Sequence, residues 1–504
     1  MFRSIPFLFI VVFSAIPLLA APSWVQVNDG PKPAGKDGDA GIRRDAIIRS
    51  EYLDIGQSTA RTPGGDRIEY VHPSCFDETD KGTIVMGFNG GISEAEGDNR
   101  AFFVRKPAGG QWQEPGFIEP DIQIDFGVIY QPRNEPNAPL LAYYWAGGPP
   151  SNANGAVRVS TDDGQTWSPR TLAPQSSYWQ DNRGTMQCGM NHPLEWPDGT
   201  LWFASSDEAQ GLRDCHAYIT KVPPDNYGNS GGGAWQVADI QGNSNDGNTH
   251  GDWLILSPDY QELMYYTRTN FNAGTYFTNS SDAGQSWKSS WTKLSQDLTN
   301  GISCVSLSPH DANHTLNGYH IVCGSKHGTR RGRLDVYLST DPLSNSWTRV
   351  LELNYIPWNG PKYEENADPT IFQSRDGSKI HLLFTGRDGD ELKYYVIDAY
   401  KLCNETATRA GDGRMSSAYL GEDLQAVLSS DSHLSITYRL PGVSKVNLML
   451  YSAHGKLLRT VPGQRRTAGK VTIDLATAGL ARGIYLAGLE IDAKLAHKRR
   501  IVVR

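Results

Sequence analysis

Apolar and polar residues alternate in short runs over most of the chain. Ala156-Val157-Arg158-Val159 and Gly274-Thr275-Tyr276-Phe277 set β-branched or aromatic side chains at every other position, the period of a strand with one buried face. Asp-Gly pairs at 198–199 and 376–377 stand between apolar runs and predict tight hairpins, each in a repeat unit of its own. Strand and turn signals continue from Ile68 to Asp398, about 330 residues. The pattern therefore predicts one large, turn-rich all-β domain.

One turn recurs. Ser160-Thr161-Asp162-Asp163-Gly164-Gln165-Thr166-Trp167 returns as Ser280-Ser281-Asp282-Ala283-Gly284-Gln285-Ser286-Trp287, a looser copy runs from Ser339 to Trp347, and a degenerate one from Arg105 to Trp112. In this pattern the aspartate can accept from nearby backbone N–H groups two residues on, the glycine can take φ > 0, and the tryptophan anchors the turn. The starts at 160, 280 and 339 are 120 and 59 residues apart, so the repeating unit is near 60. Units of a few short strands at that period are propeller blades, and about 330 residues fit six, with five or seven left open.

The repeat resembles the Asp box, or BNR repeat, of the sialidase superfamily, which implies a six-bladed β-propeller with the boxes on the rim away from the catalytic face. The expected layout is a secretory signal over 1–21, an N-terminal arm over 22–67 that covers the first blade, the propeller over 68–400, a linker over 401–430, and a small β-sandwich over 431–504. The signal reading rests on Met1-Phe2-Arg3 followed by the apolar run Ile5 to Ala20. In the last unit, Val446-Asn447-Leu448-Met449-Leu450-Tyr451, Gly483-Ile484-Tyr485 and the basic, β-branched end resemble a type IX secretion sorting module. That implies the secretion machinery as a partner and a secreted or cell-surface location; a generic immunoglobulin-like accessory domain is the alternative.

Composition narrows the function classes. A net charge of −8 gives no reason to expect nucleic acid as a partner, and after the first 21 residues no apolar stretch reaches the length of a membrane span. Six cysteines without a C-x-x-C disfavour zinc. They leave open disulfides, with Cys188–Cys215 and Cys304–Cys323 the nearest pairs, or buried free thiols. No metal-ligand spacing and no cofactor motif is present; a structural calcium is left open.

Candidate chemistry sits between the boxes. Where true sialidases carry Tyr-Arg-Ile-Pro, this chain has Tyr70-Val71-His72-Pro73, so one of the three arginines that grip a sialic acid carboxylate is a valine. Counting back from Asp376-Gly377 puts Asp368 where the resemblance expects the nucleophilic tyrosine. Both departures argue against sialic acid and for another sugar. The first reading is a glycoside hydrolase with Asp98, Glu208 and Asp368 as carboxylates, since an oxocarbenium-like transition state is served by a carboxylate pair. His72, His192, His250, Tyr266, Arg268 and Arg333 are the candidate substrate binders, and the partner is a polysaccharide or glycoconjugate. A polysaccharide lyase on uronate glycans, with histidine and tyrosine as base and acid, and a non-catalytic glycan-binding propeller are the alternatives.

Overall fold

The computed structural model describes residues 21–29, 43–93, 99–122, 124–135, 137–146, 154–172, 186–188, 191–207, 217–228, 236–240, 248–269, 274–296, 298–311, 314–326, 333–353, 366–386, 391–403, 425–428, 433–440, 444–452, 457–466, 469–476, 483–491 and 494–503. It is nearly all β, with six antiparallel blades arranged as a propeller. Blade 1 comprises Tyr70–Glu78, Ile84–Gly91, Arg100–Lys106 and Gly116–Glu119; blade 2, Ile124–Tyr130, Leu140–Ala146, Asn154–Ser160 and Thr171–Leu172. Blade 3 has a broken first strand, Met186–Cys188 and Leu194–Glu195, then Leu201–Asp207, Ala217–Val222 and Gln236–Asp239. Blade 4 is Asn248–Ile255, Leu263–Thr269, Gly274–Ser280 and Thr292–Lys293; blade 5 is Leu298–Ser306, His320–Lys326, Leu334–Ser339 and Thr348–Leu353.

Blade 6 takes Asn366–Gln373, Lys379–Gly386 and Glu391–Asp398 from late in the chain and Ile47–Asp54 and Val25–Asp29 from its beginning. The N-terminal arm is thus a structural part of the last blade, pairing antiparallel from Ile47↔Ile397 to Asp54↔Glu391. It also reaches blade 1. Glu51 accepts from Trp112 Nε1 and Lys106 Nζ at 2.5 Å each, and Glu114 accepts from Trp24 Nε1 and the Thr59 N–H. The expected cover over blade 1 is therefore one side of a ring closure.

Each blade is a meander that restarts at the axis, and the first strands of blades 4, 5, 6, 1 and 2 pack on one another in sequence. Two ends follow from this topology. One collects the starts of the first strands and the second-to-third connections; the other collects the ends of the first strands and the third-to-fourth turns. All four copies of the box are third-to-fourth turns, so they share the second end.

The boxes also clamp neighbouring blades. Asp162 accepts from the backbone N–H of Gln165 and Thr166 and from the Thr166 hydroxyl, three and four residues on rather than the two expected. Burial opposes ionisation there, but these bonds and one from Ser160 hold its pKa at about 2. Asp163 takes hydroxyl bonds from Thr79 and Thr83 of blade 1 at 2.6 Å. Trp167 meets Phe103 of blade 1 edge-on, and Trp347 meets Tyr266 of blade 4.

The core lies between blades, as at Tyr143–Phe203 and Phe76–Phe372, with ring centroids 4.7 Å apart in each. Cys75, Cys304 and Cys323 are buried free thiols, and Cys403 is buried. A Cys304–Cys323 bridge is excluded by register: Cys323 lies opposite Ser303, one residue out of step with Cys304, so the two side chains leave opposite faces of blade 5. Cys215 of the other pair, the signal-like segment and most of the linker lie outside the described residues.

The C-terminal unit forms two antiparallel sheets, Gln425–Leu428, His433–Leu440 and Gly469–Ala476 in one, and Leu457–Arg466, Ser444–Ser452, Gly483–Ile491 and Lys494–Val503 in the other. Its first strand precedes the expected boundary at 431. No described helix is long and apolar enough to cross a membrane.

Candidate functional site

At the end opposite the boxes, the first strands are irregular. Register shifts fall at Val71/Ser74, Phe126/Val128, Thr249/Asp252, Leu298/Asn300 and Ala367/Thr370, and blade 3 has its break. Bulges of this kind re-aim side chains away from the alternation of a plain strand. Here they turn polar groups into the axial mouth.

Three of the sequence candidates meet there, from three blades. His72 of blade 1 is hydrogen-bonded through Nε2 to Oδ2 of Asp368 in blade 6, and Nη1 of Arg268 in blade 4 lies 3.9 Å from Oδ1 of Asp368. Side-chain exposure is 13% for His72, 17% for Arg268 and 2% for Asp368. The imidazole and guanidinium therefore reach solvent, while the carboxylate lies beneath and holds both. Asp368 sits at φ 44°, a left-handed conformation sparsely adopted by non-glycine residues and unusual before a proline. Such local strain persists only where the surroundings over-determine it. Tyr70 packs its ring 5.8 Å from that of His72. Val71, at the position of the missing arginine, is fully buried in the core between blades 6 and 1, so no cation replaces it from that position.

The other candidates separate. Tyr266 is fully buried between blades 4 and 5, its hydroxyl 3.9 Å from the Met264 sulfur; it packs in the core and is not a site residue. His192 is half-buried, donates from Nε2 to the Phe76 carbonyl at 2.6 Å and stacks on Phe372. Burial, with smaller contributions from Arg133 and Arg375, holds its pKa down, so it serves as a neutral structural donor near the box end. Arg333 is tied to Asp335 at 2.7 Å and Glu352 at 3.5 Å within blade 5. His250 belongs to the first strand of blade 4, and Asp98 and Glu208 lie outside the described residues.

A buried polar network between the two mouths carries no sequence signal. Asp252 accepts from the N–H of Trp253 and Cys304 and from the Ser303 hydroxyl, and Ser303 Oγ accepts the N–H of Ile371. Asn191 donates to the carbonyls of Gly251 and Ile302. Blades 3 to 6 are thereby joined around the axis. Burial raises the pKa of Asp252 to about 7 against these donors.

Chemically, the mouth offers an imidazole fixed by a buried carboxylate and a cation beside it. The carboxylate sets the ring's orientation. Among the described residues no group of three His, Cys, Asp or Glu side chains is placed to hold a metal ion.

The BNR repeat-like domain model matches residues 82–382. Among solved structures, a protein of unknown function from Dyadobacter fermentans aligns with TM-score 0.51 at 12% identity, covering 65% of this chain and 94% of that one. The Trypanosoma rangeli sialidase in complex with the inhibitor DANA aligns with TM-score 0.50 at 10% identity, covering 88% and 89%. A Penicillium chrysogenum α-L-arabinanase complexed with arabinobiose aligns with TM-score 0.48 at 12% identity, covering 68% and 97%. At these identities the likeness is one of fold. No curated relative is matched by the sequence.

Proposed function

Because this chain belongs to the BNR repeat-like domain family, whose model covers residues 82–382, we propose that it is a secreted carbohydrate-active enzyme, a glycoside hydrolase acting on a glycan other than a sialoside. The observation that carries this reading is the meeting of His72, Arg268 and Asp368 from three blades at the mouth away from the boxes. His72 is the group that meets the substrate, Asp368 orients it, and Arg268 binds an electronegative or anionic substituent. Asp98 and Glu208 remain the candidates for the carboxylates that flank the glycosidic bond. The C-terminal unit is proposed to deliver the protein through the type IX machinery.

The same observation favours one second reading. Elimination on a uronate needs a base for the proton beside the carboxylate and a cation to hold that carboxylate, and His72 with Arg268 has this make-up. Released sugars from a panel of neutral and uronate polysaccharides decide between them. Hydrolysis yields reducing ends alone, whereas elimination adds an unsaturated, ultraviolet-absorbing product. In either case His72→Ala and Asp368→Asn each lower kcat by about 100-fold or more, the usual scale for a lost proton-transfer group. Wild-type rates in both variants exclude this mouth as the active site.

A further inference from the structure

The propeller axis opens a second time, at the box end. A cavity of about 400 Å³ lies there, within the size range of small-molecule sites. Its wall includes Tyr130, Glu195, Ile255, Ser306 and Gln373, each the last residue of its first strand, whereas His72 and Asp368 are each the third residue of theirs. Along blade 6, Gln373 lies five positions beyond Asp368, at most about 17 Å at about 3.3 Å per residue. The two openings are distinct places.

The chemistry of the second opening is specific. Arg133 stands at its rim. Nη2 pairs with buried Asp77 at 3.0 Å, Nη1 donates to the Gln373 carbonyl, and the guanidinium lies over the Phe372 ring. The side chain nevertheless keeps 28% of its surface exposed, leaving an edge for a planar anion. Glu195 brings no competing acceptor, because it is occupied by the Tyr130 hydroxyl and by the N–H groups of Arg133 and Asn134. His310, exposed at the opening, has its charged form disfavoured by partial desolvation and then by the Arg133 charge. The lining includes the rings of Phe372, Trp253, His192 and His310.

We propose that this box-end cavity binds a carboxylate-bearing monosaccharide, with the carboxylate on Arg133 and the sugar ring against the aromatic wall. The site is independent of the reaction at the other mouth, and binding there would let the propeller hold a uronate end while working elsewhere on the polymer.

The test is titration of the full chain with D-galacturonate, D-galactose and benzoate, followed by saturation-transfer NMR and by tryptophan emission, with Arg133→Lys and Arg268→Gln in parallel. Galacturonate is expected to keep binding in Arg268→Gln, where the other mouth has lost its cation, and to bind at least 10-fold more weakly when Arg133→Lys is added to that background. Galactose and benzoate are each expected to bind at least 10-fold more weakly than galacturonate. If Arg133→Lys does not fold, His310→Ala on the same wall serves, with the same weakening expected. No binding of galacturonate to wild type, loss in Arg268→Gln with retention in Arg133→Lys, or equal binding of galactose or benzoate each overturns the proposal. Polysaccharide turnover is unaffected by any of these outcomes, so the proposed reaction stands or falls separately.

Discussion

A single carboxyl shows how burial sets the chemistry of the axis. Asp252 is deep enough to keep its proton to about pH 7, against about 3.9 in an unfolded chain. The folded state therefore binds more protons than the unfolded state between those values, and stability falls as pH rises through that window. The slope from one such group is at most about 1.4 kcal/mol per pH unit. Asp252→Asn cannot ionise, so its stability, measured by urea denaturation from pH 5 to 8, is expected to decline less steeply than that of wild type; parallel slopes exclude the assignment. Asp252 and His192 also show what a sequence leaves out at this scale. Both were visible as polar residues, yet only the packing around them makes one a proton-holding acid and the other a carbonyl-bonded structural donor.

At the scale of the element, the repeated turn was legible because its requirements are local. Gly164 and Gly284 take φ 77° and 71°, as a turn of this form needs. Its second function was not legible. A Cβ on Gly284 would lie 2.6 Å from the Trp202 ring of blade 3, whereas one on Gly109, at φ 69°, would meet nothing within 4 Å. Gly109→Ala is thus expected to cost about 1 kcal/mol for the left-handed backbone alone. Gly284→Ala should cost at least twice as much, because strain and overlap add. Midpoints of chemical denaturation compare the two directly, and equal losses mean that the box does not dock on its neighbour.

For the whole molecule the decisive event is closure. The ring is completed by strands from the chain's beginning, in which Ile47 is buried between blades 5 and 6 and Leu53 between blades 6 and 1. At about 2 kcal/mol per buried side chain of this size, their loss removes about 4 kcal/mol, a large share of ordinary domain stability. Removal of residues 22–54 also bares the edge of Glu391–Asp398, an invitation to aggregate. The truncated chain is expected to lose its soluble monomer in size-exclusion chromatography; a stable monomer with an unchanged melting temperature refutes the closure.

Legible along the chain was whatever depends on sequence neighbours: alternation, hairpin turns, the box, and through the 59- and 120-residue spacing a repeat unit near 60, while the count of six blades came from the fold. The sequence also supplied His72, Arg268 and Asp368 as candidates. What only the tertiary structure decided is how separated residues meet. It placed those three side chains in one mouth while Tyr266 went to the core and Arg333 to its own acidic partners. It also brought residues 25–29 and 47–54 into the last blade and opened a cavity at the far end of the axis. The physical reason is that a turn is set by a few dihedral angles. A site at a propeller axis is set by register shifts in strands hundreds of residues apart, and these are fixed only when the ring closes.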